Sequence, residues 1–211
     1  MTIRQQRNAV LAARVIKGLE SRNMEGYFVE TAEDALAKAL ELMPEGSSVS
    51  WGGSMSVEDC GLIEAVRAGN YEVIDRSLAS SPEEKRALQL QAFGADFFLG
   101  SANAMSEDGV MVNIDKFGNR IGAFAYGPSH VLLIVGMNKV VKTVEDAVSR
   151  ARNEAAAINA QRFAKDAPCI KNGTCYNCKS ADTICSNIMI TRYNPVDGRV
   201  KVILVDEALG F

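Results

Sequence analysis

The chain has 211 residues, of which 47% are hydrophobic and 23% charged, and its formal net charge is −3. These values are typical of a globular protein with a real core, and the lack of any basic run argues against nucleic acid as a partner. No apolar run approaches the roughly 18 residues of a membrane span, and the first residues lack the apolar core of a signal peptide. We therefore expect a cytoplasmic protein that forms a single domain over residues 1–211.

Helices and short strands alternate through the first hundred residues. The first helix places Leu11, Val15 and Leu19 on one face, at helical spacing. The β-rich runs are "YFVE", "SSVSW", "YEVIDR" and "DFFLGS", with "HVLLIVG" further along. This alternation predicts βαβ units, and therefore a parallel sheet with helices on its faces.

A Ser or Thr followed three residues later by an acid recurs along the chain. The pairs are Thr31–Asp34, Ser56–Asp59, Ser81–Glu84 and Thr143–Asp146. Each pair is followed by residues of helical period and predicts a capping box, in which hydroxyl and carboxylate bond the free N–H groups of the first turn. Pro82 suits the first helical position, where its missing N–H costs nothing. The last helix is expected from Thr143 to Ala164.

The pattern changes after residue 100. The runs "GVMVNID" and "RIGAFAYG" flank "KFGN", and this order predicts a β-hairpin. The runs "NIMITRY" and "RVKVILV" flank "NPVDG" and predict a second hairpin at the end of the chain.

The first candidate site is "SVSWGGSMSVED", residues 48–59. Gly52 and Gly53 let the backbone approach a ligand closely, and the free N–H groups of the next helix suit an anion. Ser54 and Ser56 add hydroxyl donors. The alternative is an ordinary strand-to-helix turn with Ser56 as its cap. The run is neither a P-loop nor a dinucleotide fingerprint, because the lysine of the first and the third glycine of the second are missing.

The second candidate site lies in residues 100–141, which are dense in Gly, Asn, Asp and Ser. Asn113 and Asp115 alternate with apolar residues and so share one strand face. Asn119 belongs to a Gly-Asn turn, and Arg120 follows it. An arginine beside a cleft is a natural clamp for a carboxylate or a phosphate. The alternative is a solvated hairpin tip.

The third candidate site is a cysteine cluster within 17 residues, formed by Cys169, Cys175, Cys178 and Cys185. Thiols stay reduced in the cytoplasm, so such a cluster indicates metal or redox chemistry before disulfides. Four thiolates suit one Zn²⁺ or an iron–sulfur cluster, and we favour zinc slightly. The outer spacings match neither a paired-knuckle zinc site nor a ferredoxin run, so metal-free thiols stay open. Cys60, on an early helix, is expected in the core.

Two single residues bear on function. The one histidine, His130, starts the "HVLLIVG" strand and has no partner there with which to build a triad, so a Ser–His–Asp hydrolase is not expected. Trp51 directly precedes the glycine pair and either packs in the core, which we favour, or walls the pocket.

The second site, read whole, resembles the LUD-domain (lactate-utilisation) family. The resemblance rests on "NAMSEDGVMVNIDKFGNRIGAFAYGP" and "VLLIVGMNKVV", with support from "WGGSMSVEDCGL". The C-terminal "GTCYNCKSADTIC" and "VILVDEALGF" look like a cysteine-bearing branch of that family. The resemblance covers most of the chain. It implies a Rossmann-like three-layer α/β sandwich, of the type shared by sugar-phosphate isomerases and CoA transferases, with β-hairpin additions and a cleft at the carboxyl ends of parallel strands.

The resemblance also implies a function. Gly52, Gly53 and Ser54 would line the cleft on one side, and the residues facing them would be Asn113, Asp115, Asn119 and Arg120. Asp115 is then the best candidate for proton transfer, and Arg120 for a carboxylate clamp. The ligand would be a small anionic metabolite, such as a 2-hydroxy or 2-oxo acid of lactate oxidation. An iron–sulfur protein would be the partner, since this chain lacks the tandem ferredoxin motifs of larger members.

Two other functions stay open. In the first, the chain is a non-catalytic module that senses a metal or the redox state with the four cysteines of residues 165–186. In the second, it is an isomerase or an acyl/CoA transferase that acts on a phosphorylated or CoA-linked substrate. Whether the chain is an enzyme is therefore open, and a homo-oligomer is compatible with the sequence.

Overall fold

The computed structural model describes residues 1–163 and 166–211. Its strands are β1 (Glu25–Val29), β2 (Ser48–Trp51), β3 (Glu72–Ile74), β4 (Phe97–Gly100), β5 (Ala104–Ser106), β6 (Met111–Asp115), β7 (His130–Gly136), β8 (Val140–Val141), β9 (Asn187–Thr191) and β10 (Val200–Val205). Its α-helices are α1 (Ile3–Glu20), α2 (Ala32–Leu42), α3 (Met55–Asp59), α4 (Leu62–Ala68), α5 (Pro82–Gln91), α6 (Asn119–Ala125), α7 (Val144–Arg150), α8 (Ala156–Ala160) and α9 (Pro168–Asn172).

Six strands form the main sheet in the order β1-β10-β7-β4-β2-β3, and every neighbouring pair is parallel. One face packs against α1 and α6, and the other against α2, α3 and α4. The predicted three-layer α/β sandwich is therefore confirmed. Trp51 and Cys60 are buried in the second of these cores, as the sequence indicates.

Two interior strands of the main sheet explain why it is parallel. The run "HVLLIVG" is β7 and the run "VKVILV" is β10, and both are almost continuously apolar and buried. Successive side chains of a strand point to opposite faces, so a strand that is apolar throughout needs cover on both sides. Helices on both faces of the sheet provide that cover.

The capping boxes at Thr31 and Thr143 are confirmed, with hydroxyl and carboxylate bonds both formed. At Ser81 only the hydroxyl half forms, because the carboxylate of Glu84 accepts from the backbone N–H and the hydroxyl of Ser80 instead. Pro82 occupies the first helical turn as predicted.

The capping box predicted at Ser56 is wrong. Helix α3 begins at Met55 after Ser54, so Ser56 lies inside the helix. Its side chain is completely buried and its hydroxyl donates to the backbone oxygen of Leu209, 3.1 Å away.

The first predicted hairpin is also wrong, because "RIGAFAYG" folds as helix α6. A tertiary contact stabilises this helix. The buried guanidinium of Arg199 donates to the carbonyl oxygens of Ala123 and Phe124, at 3.0 and 2.7 Å, and so satisfies carbonyls at the helix end. Strand β6 pairs antiparallel with β5 and β9 instead.

The second predicted hairpin does not form either. Strand β9 belongs to a small sheet of order β8-β5-β6-β9, whereas β10 lies between β1 and β7 in the main sheet. The turn at residues 194–198 therefore connects two sheets, not two paired strands. The mixed small sheet packs on α7 and the residues that follow it.

The last long helix runs through α7, a π-helical turn (Ala151–Ala155) and α8. Its predicted end, Ala164, and the first residue of the predicted cysteine segment, Lys165, lie outside the described residues. From residue 166 the segment contains only α9 before β9 begins. No helix in residues 1–163 and 166–211 is long and apolar enough to cross a membrane.

Candidate functional site

A cleft of about 440 Å³ opens at the carboxyl edge of the main sheet. The segments that follow β2, β3 and β6 line it, together with α5 and the end of α8. This is where open α/β sheets usually bind ligands. The basic residues of its lining are Arg76, Lys85, Lys116, Arg120 and Arg162. Within the described residues, Asp115 is the one carboxylate of that lining. We call this site the cationic cleft.

Arg120 is the most constrained side chain of the cationic cleft. Its Nη2 donates to the carbonyl oxygen of Ile114, and its Nη1 lies 3.5 Å from the carbonyl oxygen of Gly53. Its Nε is 3.4 Å from Asp115 Oδ2 but forms no hydrogen bond with any described residue. Burial lowers the pKa of Arg120, against the opposing charge of Asp115. Arg120 therefore keeps one buried donor that no described residue satisfies.

Asp115 is tied to the backbone of the turn that follows it. Its Oδ1 accepts from the N–H groups of Phe117 and Gly118, at 3.1 and 3.0 Å, and its Oδ2 faces Arg120. These contacts hold the turn and orient the guanidinium. The role of Asp115 in proton transfer stays a prediction.

Arg76 is a cleft residue that the sequence reasoning missed. It follows β3 directly, is half-buried, and forms no hydrogen bond or ion pair with any described residue. The adjacent Asp75 binds Arg67 instead, at 2.6 Å. Burial lowers the pKa of Arg76, opposed by the charges of Asp115 and Asp75. Its place at the carboxyl end of a predicted parallel strand was the available signal.

The two glycines have different roles. The N–H of Gly52 donates to the carbonyl oxygen of Leu99, so this amide is already used within the sheet. A Cβ at Gly52 would lie 2.8 Å from Arg120 Cδ, so the glycine makes room for the arginine. A Cβ at Gly53 would meet only Arg76 Nη2, at 3.8 Å. Gly53 is therefore the glycine that leaves open space in the cleft.

The two serines of the first candidate site, Ser54 and Ser56, lie near Lys139, which the sequence did not single out. Ser54 lines a narrow recess of about 30 Å³ beside the cleft but forms no capping hydrogen bond. Ser56 is buried beneath that recess, and its Oγ accepts from Lys139 Nζ at 2.7 Å. Lys139 Nζ also donates to Ser101 Oγ at 3.0 Å. Burial, together with the smaller effect of the nearby arginine charges, lowers the pKa of Lys139 to about 7.

The two predicted asparagines are placed differently. Asn119, at the start of α6, lines the cationic cleft. Asn113 is completely buried and is not part of the cleft lining, and neither atom of its amide has a hydrogen-bond partner in the described part of the chain. A contact between Asn113 and a ligand stays a prediction.

The four clustered cysteines line a separate cavity of about 170 Å³, which we call the cysteine pocket. They form no disulfide. Arg152 Nη2 and the N–H of Asn177 lie 3.7 and 3.4 Å from Cys175 Sγ, and Thr183 Oγ1 lies 3.1 Å from Cys185 Sγ. Within residues 1–163 and 166–211, no three His, Cys, Asp or Glu side chains are arranged as a metal site.

Fold and site together define an α/β protein with a parallel sheet and a cationic cleft at its carboxyl edge. The family model for the LUD domain matches residues 12–205, so the chain belongs to the LUD-domain family. No curated protein is significantly similar to the chain.

Two examples of similar solved structures follow. One is a protein of the DUF162 family from Deinococcus radiodurans, with 14% identity and a TM-score of 0.56 over 94% of this chain and 98% of that one. This likeness supports the fold. The other is ribose 5-phosphate isomerase A from Methanocaldococcus jannaschii, with 17% identity and a TM-score of 0.36 over 54% of this chain and 55% of that one.

Proposed function

We propose that this protein binds a small organic anion of the 2-hydroxy or 2-oxo acid class in the cationic cleft, as a component of lactate or related organic-acid oxidation. The carboxylate of the ligand lies between Arg76 and Arg120, and Gly53 leaves the space for it.

The observation that carries the proposal is the guanidinium of Arg76, which no described residue pairs, beside the incompletely bonded Arg120. Among the residues that the structure describes, five basic side chains and one carboxylate line the cleft, and that carboxylate is already bonded to backbone N–H groups. Burying unpaired positive charge is costly, so a site of this kind favours an anion. A volume of about 440 Å³ is within the range of small-molecule sites.

The link to lactate comes from the family. Oxidation of a 2-hydroxy acid to a 2-oxo acid releases two electrons and two protons, so the reaction needs an electron acceptor. We propose an iron–sulfur protein as that partner, with this chain holding the organic acid. The alternative of isomerisation or acyl transfer would place a sugar phosphate or a CoA ester in the same cleft.

Isothermal titration calorimetry with lactate, pyruvate, ribose 5-phosphate and acetyl-CoA tests the proposal. We expect lactate or pyruvate to bind, and Arg76→Ala to weaken that binding by about 1.5–3 kcal/mol, the size of a hydrogen bond to a charged group. Arg192→Ala is the matched control, because Arg192 is an exposed arginine. Its backbone oxygen accepts from Arg22, a residue that precedes the first strand. Binding of the sugar phosphate or the CoA ester alone would replace the proposal by the alternative.

For the cysteine pocket we propose one structural metal ion, with zinc favoured over an iron–sulfur cluster. All four thiols border the same cavity, and Cys175 already accepts from an N–H group, an arrangement that also suits a metal-bound thiolate. Burial raises the pKa of Cys169, and the charges of the other three thiols raise it further. A bound cation would reverse this repulsion, provided that the side chains rotate to converge on it. Metal analysis and the absorption spectrum of anaerobically purified protein distinguish zinc, an iron–sulfur cluster and free thiols, and free thiols would favour a redox-sensing role.

A further inference from the structure

Lys139 is a buried amine that has no counter-ion among the described residues. It follows β7 at the carboxyl edge of the main sheet and is only 3% exposed. Its Nζ contacts two neutral hydroxyls, those of Ser56 and Ser101, and no carboxylate within the described residues forms an ion pair with it. Lys142, three residues further, is exposed and binds Glu107 at 2.8 Å. The two lysines therefore differ in burial and in charge partner.

The electrostatic surroundings of Lys139 favour its neutral form. The positive charges of Arg150 and Arg120 add to the effect of burial, and Asp59 opposes them weakly. The pKa of about 7 leaves a substantial part of the amine unprotonated at neutral pH. A lysine that is desolvated beside other cations is an activated nucleophile, because its lone pair is then available without the cost of losing a proton to bulk water.

The recess that holds Lys139 is an extension of the cationic cleft. Gly53, Arg120, Asn159 and Arg162 line both the recess of about 30 Å³ and the wider cleft of about 440 Å³. A recess of that size holds roughly one water molecule, or one substituent of a larger ligand. An organic acid whose carboxylate lies at the arginines would place its adjoining carbon toward the recess.

We propose that Lys139 forms an imine with the carbonyl carbon of a 2-oxo acid held in the cationic cleft. This inference rests on the proposed function and deepens it, because it assigns the ligand to the 2-oxo acids. The neutral amine of Lys139 attacks C2, and the carbonyl oxygen takes up a proton. The hydroxyl of the resulting carbinolamine takes up a second proton from solvent water and leaves as water while the nitrogen donates its lone pair, so that the product is a protonated imine. No oxidant or reductant takes part, and hydrolysis reverses the step.

Reductive trapping tests the inference. The protein is incubated with pyruvate, and separately with glyoxylate, in the presence of cyanoborohydride, and tryptic peptides are analysed by mass spectrometry. We expect a stable secondary-amine adduct on Lys139 and none on Lys142. The adduct should be absent from Lys139→Met and retained in Lys142→Met. Adducts spread equally over exposed lysines, or retained on the protein in Lys139→Met, would overturn the inference.

Lys139→Arg separates the imine from the positive charge alone, since arginine keeps a charge but forms no imine with a ketone. We expect the Lys139→Arg variant to bind pyruvate in calorimetry but to give no trapped adduct. If wild-type protein binds pyruvate but gives no adduct, the imine is wrong and the proposed function stands. If neither pyruvate nor lactate binds and no adduct forms with either 2-oxo acid, both the inference and the proposed function are wrong.

Discussion

The cationic cleft and the cysteine pocket are neighbours, since Ile184 lines both, but they are built in opposite ways. The cleft takes its residues from β6, from the segments that follow β2, β3 and β6, and from α5 and the end of α8, which are far apart in the chain. The cysteine pocket takes its thiols from one stretch of 17 residues that contains only the short helix α9 before β9. A site on a rigid sheet is pre-organised by the fold, whereas a site in a loop needs a crosslink or a metal for comparable order.

The difference has a consequence for stability. A change at Arg120 should affect ligand binding and the free energy of unfolding together, because this side chain also donates to the carbonyl oxygen of Ile114 in β6 and faces Asp115. A change in the cysteine pocket should affect only the local segment. The predictions below follow from this contrast, in order of expected effect.

Arg120→Ala should have the largest effect. It removes the side chain that donates to Ile114 and faces Asp115, and it leaves a mostly buried carboxylate without its cation. Loss of one partner from such a pair typically costs about 3–5 kcal/mol of stability. Chemical denaturation should show this loss, and calorimetry should show loss of organic-acid binding. Arg162→Ala, an exposed arginine of the same cleft, is the control, and an equal loss of stability there would contradict the contrast.

The pH dependence of stability should report on Lys139. Its pKa falls from an ordinary 10.5 to about 7 on folding. Between these values the unfolded chain holds one more proton than the folded chain, so this group makes the free energy of unfolding rise with pH from about 7 to about 10.5. Below pH 7 the cost of burying the charge is fully present. The groups facing the amine are the hydroxyls of Ser56 and Ser101, with Arg150, Arg120 and Asp59 as the charges that act on it.

Lys139→Met should abolish this rise, a difference on the order of a few kcal/mol across the window. Denaturation curves of wild type and variant at matched pH values measure it. Lys142→Met should behave as wild type, because Lys142 is exposed. Parallel curves for wild type and Lys139→Met would show that Lys139 is not buried as a titrating amine.

The glycine pair should give a smaller, graded effect. Gly52→Ala places a Cβ within 3 Å of the Arg120 side chain, so the arginine must move, at a cost of about 1–3 kcal/mol for overpacking. Gly53→Ala meets only ordinary contact with Arg76 and should leave stability unchanged while narrowing the cleft. Thermal unfolding and calorimetry distinguish the two. Equal destabilisation by both variants would show that Gly52 is not specifically adapted to Arg120.

The cysteine pocket should give the most local effect. Cys178→Ser, or chelation, should release the proposed metal and reduce hydrogen-exchange protection in residues 166–191 only. Strand β10 should keep its protection, because it is hydrogen-bonded on both sides, to β1 and to β7, within the main sheet. Cys60→Ser is the control, since Cys60 is buried in the core beside α4. If Cys178→Ser retained the metal, or if β10 lost its protection from hydrogen exchange, the cysteine pocket would not be a local metal site that is independent of the main sheet.

Much of the fold could be predicted from the sequence by itself. The alternation of helix and strand determined the parallel sheet, and the capping boxes determined where α2 and α7 begin. These features are local, since they depend on side-chain period and on hydroxyl and acid residues three apart. The positions of Gly53, Ser54, Asn119 and Arg120 at one cleft could also be anticipated, because they follow or flank predicted strands.

Only the tertiary structure decided which strands pair and which buried groups meet. Strand β10 pairs with β1 and β7 in the main sheet and does not form a hairpin with β9. A strand that is apolar on both faces is stabilised most where helices cover both faces of the sheet. Helix α6 depends on Arg199, about 75 residues away along the chain. Arg76 and Lys139 carry no local motif, and their chemistry comes from burial and from neighbours that the fold alone brings together.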